Sequence, residues 1–158
     1  MTSDNPIKTL LIGIGNEYRC DDGAGIMIAR TIRDKQLPSV IVKEESGEGT
    51  ALMESWQGFQ YVIIVDAVSS GATPGTIFRI DTKKEAVPTK FFHYSTHAFS
   101  IAEAVKLACA MNVLPPKLVI YGIEGNNFAA GVDISPPVKK AANQVIEQIV
   151  GDFEVVCR

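Results

Sequence analysis

Four side chains in this 158-residue sequence have the types and placement to do chemistry together: Asp21, Asp22, Asp66 and His97. Two carboxylates and one imidazole hold a divalent ion while leaving coordination positions open, which is what a functional rather than a structural metal site requires. An ion so held can polarise a carbonyl or activate water. Asp22, Asp66 and His97 are therefore the candidate ligands, and Asp21 is a candidate base or supporting partner. Each also has a plainer reading: Asp21 or Asp22 as a helix N-cap, Asp66 as a turn former, and His93 as a supporting or surface residue. His93 and His97 are the only histidines, and no serine or cysteine stands in a recognisable catalytic triad setting. The acidic stretch 44–50, with Glu44, Glu45 and Glu48, reads as a solvated loop or as a flexible lip that meets a basic peptide.

The elements that must position these residues follow from apolar periodicity. Residues 9–15 and 61–65 are apolar throughout and read as strands buried on both faces, the second turning at Asp66. Residues 40–42 and 118–122 give two further strands, and 76–81 alternates like a half-exposed edge strand, antiparallel to its neighbour. Helical stripes run over 24–32, 51–56 and 98–109, with His97 opening the third. A last helix has Ser135 as N-cap, Pro136 and Pro137 in its first turn and Gly151 as its stop. Strands alternating with helices predict an α/β fold: a single three-layer domain over residues 1–158, with a twisted, mostly parallel sheet and helices on both faces. In such sheets the loops after the strands share one rim, where ligands bind.

Composition narrows the function. With 15 basic and 18 acidic residues the formal charge is −3, which leaves no footprint for nucleic acid. Gly13-Ile14-Gly15 begins like a dinucleotide fingerprint, but Tyr18 replaces the third glycine, and the Asp21-Asp22 pair would repel a pyrophosphate. The three cysteines form no C-x-x-C pair, and neither a signal peptide nor a membrane-length apolar run is present. A cytoplasmic monomer with no membrane association is the expectation.

The segment Gly13-Ile-Gly-Asn-Glu-Tyr-Arg-Cys-Asp-Asp-Gly-Ala-Gly25 resembles the opening signature of the hydrogenase maturation proteases. Val65-Asp66-Ala67, Pro74-Gly75-Thr76, Ser95-Thr96-His97 and Tyr121-Gly122-Ile123-Glu124 resemble later motifs of that family, in the same order. The resemblance implies an endopeptidase that removes the C-terminal extension of a nickel-iron hydrogenase large-subunit precursor. It implies nickel, supplied by that precursor, as the metal, and Asp22, Asp66 and His97 as the residues that bind it. Two other readings compete: a general metallohydrolase with its own ion, and a nonenzymatic nucleotide- or metal-binding α/β module.

Overall fold

The computed structural model describes residues 8–92 and 98–156. His93, His97 and Cys157 lie outside them. The chain begins with β1 (Thr9–Ile14), a 3₁₀ turn at Cys20–Gly23, α1 (Ala24–Asp34) and β2 (Val40–Glu45). It continues through α2 (Gly49–Ser55), β3 (Tyr61–Val68), β4 (Ile77–Asp81), α3 (Ile101–Ala110), β5 (Lys117–Glu124) and α4 (Pro136–Val156). The strands order as β2-β1-β3-β5-β4, and only β4, at one edge, runs antiparallel to its neighbour. This is the expected three-layer α/β arrangement.

Alternation along the buried strands sorts their side chains onto two faces. Leu10, Ile12, Val62 and Ile64 pack beneath α2 and α3, with Leu52, Trp56, Ala104 and Val105. Leu11, Ile63, Val119 and Tyr121 pack beneath α1 and α4, with Ile28, Ile32, Val145 and Ile149. The connection leaving β1 runs outward to β2 on the α1 face, whereas the one leaving β2 crosses back over β1 to β3 on the α2 face. The strand order therefore reverses between β1 and β3, and the crevice outside their carboxyl ends is the switch point where ligands of such sheets bind.

Several boundaries differ from expectation, among them that of β2, which runs past Val42 to Glu45 because β1 pairs with it as far as Ile14↔Glu45. β3 does not turn at Asp66 but continues to Val68, because β5 pairs with it over that whole length, from Tyr61↔Lys117 to Val68↔Glu124. α3 opens at Ile101 rather than at His97. Ser100 and Glu103 form a capping box, with the Ser100 amide donating to Glu103 Oε2 at 3.1 Å, and this fixes the start four residues later. α4 passes through Gly151 to Val156, since Val150 and Phe153 pack against the α1/α4 core and the Phe153 ring lies 6.4 Å from that of Tyr61. Burial of that aromatic outweighs the helix cost of one glycine.

Candidate functional site

The site is built where β1 ends and β3 runs on. Pairing between them stops at Gly13↔Val65, so Asp66 and the two residues after it overhang the switch point. Ile64 and Val68 flank Asp66 two residues away on either side and lie in the α2/α3 core, which directs Asp66 to the same face. Asp66 is buried, at 4% exposure. Helix α1 is drawn tightly onto the strand ends beside it. A Cβ on Gly25 would come within 2.4 Å of both the Ile14 and Val65 carbonyl oxygens, so only glycine fits there.

Asp22 approaches from the β1–α1 loop, on the 3₁₀ turn that packs against β3. It is also buried, and its Oδ2 accepts a hydrogen bond from the Asn16 amide at 3.0 Å. Gly15 makes this possible: its φ is +143°, and a Cβ there would collide with the Asp22 carbonyl oxygen. Asn16 shapes the loop without a positive φ, its Oδ1 accepting from the Tyr18 amide at 2.9 Å, while Cys20 takes the left-handed conformation at φ 49°. The N-cap position of α1 is Gly23, so neither aspartate occupies the cap read from the sequence.

Asp21 has a different task from the proton transfer that the sequence allowed it. Its carboxylate is fully buried and accepts from the amides of Asn126 (2.8 Å), Asn127 (2.9 Å) and Ser135 (2.7 Å) and from the Ser135 hydroxyl (2.8 Å). Burial alone would raise its pKa, but these four donors outweigh it and hold the carboxyl below its ordinary value. A carboxylate so occupied is a poor base and a strong brace, tying the β1–α1 loop to the β5–α4 loop. Ser135 spends its hydroxyl on Asp21 while its carbonyl accepts the Lys139 amide at the start of α4. Glu124 braces the next loop in the same way, accepting from the Ser70 amide and hydroxyl and the Gly71 amide.

The acidic stretch 44–50 begins inside β2 and is not a free lip. Glu44 is paired with Arg30 and Arg33, at 3.0 and 2.9 Å. Glu48 caps α2 by accepting from the amides of Thr50 and Ala51. Its replacement by alanine is expected to cost about 1 kcal/mol, a fall of a few degrees in Tm by calorimetry with no loss of site geometry. Glu45 turns to the other side, where one oxygen accepts from Ser55 at 3.0 Å and the second, Oε2, is buried without a hydrogen-bond partner. Nothing in residue type distinguished Glu45 from its neighbours; its place as the last residue of β2 did.

Among the described residues no three His, Cys, Asp or Glu side chains gather as a metal-ligand set. The described part of the expected triad is thus Asp22 and Asp66, two oxygen donors of the type that suits a divalent ion. His97 belongs to residues 93–97, which lie outside the described ones. Phe99, two residues further on, is tied to the start of α2 by its carbonyl, which accepts the Gly49 amide at 2.8 Å.

Comparison with known proteins gives the family. The hydrogenase maturation protease family matches residues 30–152, more than half of the chain. The chain belongs to the hydrogenase maturation protease family. Among relatives, it is 24% identical over 148 residues to the hydrogenase 2 maturation protease of Escherichia coli, covering 91% of this chain and 89% of that one. It is 26% identical over 166 residues to the hydrogenase expression/formation protein HupD of Thiocapsa roseopersicina, covering all of this chain and 73% of that one. Solved structures share the fold. An endopeptidase from Escherichia coli superposes with a TM-score of 0.78 at 24% identity, over 91% of this chain and 90% of that one. The hydrogenase maturating endopeptidase HybD of Escherichia coli gives 0.72 at 18% identity, over 94% and 93%. No helix among the described residues of this family member is long and apolar enough to cross a membrane.

Proposed function

We propose that this chain is the endopeptidase that removes the C-terminal extension of a nickel-iron hydrogenase large-subunit precursor, and that nickel already seated in the precursor is what it recognises. The observation that carries the reading is the pair of buried carboxylates, Asp22 and Asp66, on the two sides of the switch point in a chain of this family. Carboxylate oxygens are donors of the type that suits a divalent ion, and in this reading the ion comes with the correct precursor.

In this reading Asp22, Asp66 and His97 bind the nickel of the precursor, and the placement of Asp22 and Asp66 at the switch point sets the scissile peptide beside them. The braced loops carry out the positioning: Asp21 fixes the turn that bears Asp22, and the overhang of β3 fixes Asp66. In this reading the protein works as a cytoplasmic monomer.

The test is incubation of the purified chain with large-subunit precursors, with and without loaded nickel, followed by the mass of the large subunit. Loss of a short C-terminal peptide from the nickel-loaded form alone is the expected result. Cleavage regardless of nickel would favour a metallopeptidase with a resident ion, and intact precursors throughout would overturn the protease reading.

A further inference from the structure

Resting on that reading of the chain as a peptide-bond hydrolase, we propose that Glu45 is its proton carrier, the catalytic residue that takes a proton from the attacking water and delivers it to the leaving amine. The argument is one of position and of elimination. Glu45 pairs with Ile14 across β2 and β1. Ile14 follows Gly13, the last β1 residue paired with β3, so the next position along β3 is Asp66. Glu45, Ile14 and Asp66 therefore lie in one row across the carboxyl edge of the sheet. Ile14 packs into the α2/α3 core and Glu45 reaches Ser55 of α2, so all three side chains are on one face. With strands about 4.8 Å apart, the backbones of Glu45 and Asp66 are about 10 Å apart. Both carboxylates thus stand on one face at the carboxyl edge of the sheet, with the Ile14 side chain between their bases.

The other acids of this rim are occupied. Asp21 and Glu124 are saturated by loop amides and serine hydroxyls, Glu44 by two arginines, and Glu48 by the first turn of α2. Among the described residues, Glu45 Oε2 is the one buried side-chain oxygen or nitrogen with no hydrogen-bond partner. Its surroundings also tune it. Burial pushes its pKa above the ordinary glutamate value, and the carboxylates of Glu48 and Glu54 add to this, against the Ser55 hydroxyl and the Lys43 ammonium. A carboxylate tuned upward accepts a proton more readily near neutral pH than an ordinary one. Glu44, on the opposite face of the same strand, stays with Arg30 and Arg33.

The step balances without another reactant. The water oxygen bonds to the scissile carbonyl carbon as its proton passes to Glu45 Oε2. The C–N bond then breaks as that proton moves to the leaving nitrogen, and Glu45 is again ionised.

The experiment is single-turnover cleavage of nickel-loaded precursor by the full chain, by Glu45→Gln and by Glu45→Asp, across pH, with precursor affinity measured in parallel. For Glu45→Gln the expected result is unchanged affinity and a rate lower by at least about 100-fold. The wild-type rate should rise with pH to a plateau as Glu45 ionises, and this acid limb should be absent in Glu45→Gln. Glu45→Asp, which keeps a carboxylate, should recover part of the rate together with an acid limb. Cleavage by Glu45→Gln at close to the wild-type rate, or a loss confined to affinity, overturns the role of Glu45 while leaving the protease reading intact. A wild-type chain that cleaves no precursor overturns that reading and Glu45 with it.

Discussion

Asp66→Asn is expected to stop removal of the C-terminal peptide from the nickel-loaded precursor, with a single-turnover rate lower by about 1,000-fold or more. The substitution keeps the shape of a buried side chain on β3 and removes its charge. In the proposed reading Asp66 is an anionic ligand, and losing it forfeits several kcal/mol of the electrostatic interaction that positions and polarises the reacting group. Binding should separate the two kinds of precursor: affinity for the nickel-loaded form falls, while affinity for the nickel-free form is unchanged. His97→Ala is expected to behave in the same way. Near-UV circular dichroism matching the wild type would place the loss in the site rather than in the fold, and processing at the wild-type rate would remove Asp66 from the ligand set.

The second large effect is on stability. Asp21→Asn turns an amide NH₂ toward a nest of donors and takes away the charge that three backbone amides and one hydroxyl share. The expected cost is about 3–5 kcal/mol, since each buried donor left unpaired costs about 1–3 kcal/mol and the losses are not additive. That corresponds to a Tm lower by roughly 10 °C. Ser135→Ala, which removes only the hydroxyl, should cost about 1 kcal/mol. The effect of pH has a definite sign. The folded state holds the Asp21 carboxyl below its ordinary value of 3.8, so its contribution is complete above that pH and is lost as pH falls below it. Denaturant titrations of wild type and variant should therefore differ most near neutrality and converge in strong acid.

These two aspartates show what the amino-acid order makes legible and where it stops. Asp66 was readable because five apolar residues lead into it, leaving a lone charge where a buried strand meets the rim. Its exact setting was not, because the three-residue overhang of β3 depends on how far β5 pairs with it, from a partner more than fifty residues away. Asp21 and Asp22 are adjacent and chemically identical, and both precede a helix. Only the distant amides of Asn126, Asn127 and Ser135 make one a brace and leave the other for the site. Glu44, Glu45 and Glu48 split for the same kind of reason. Strand alternation sends Glu44 and Glu45 to opposite faces, and Glu48 meets a helix start. Gly151 as a helix stop was a sound local rule, overruled by the packing of Phe153.

The β1–α1 loop has one more consequence. The amides of Gly15, Asn16, Tyr18, Arg19, Cys20, Asp21 and Asp22 all donate to acceptors within the protein, three of them to the distant strand and loop carrying Glu45, Asn127 and Gly131. A loop with its backbone so fully committed has little conformational entropy left to surrender. A partner that docks on it meets a surface already in its final shape, and the free energy of contact goes into affinity rather than into ordering the receptor. The adjustment on association therefore falls to the peptide tail of the partner, and the rate of complex formation follows how often that tail, not this loop, samples the matching conformation.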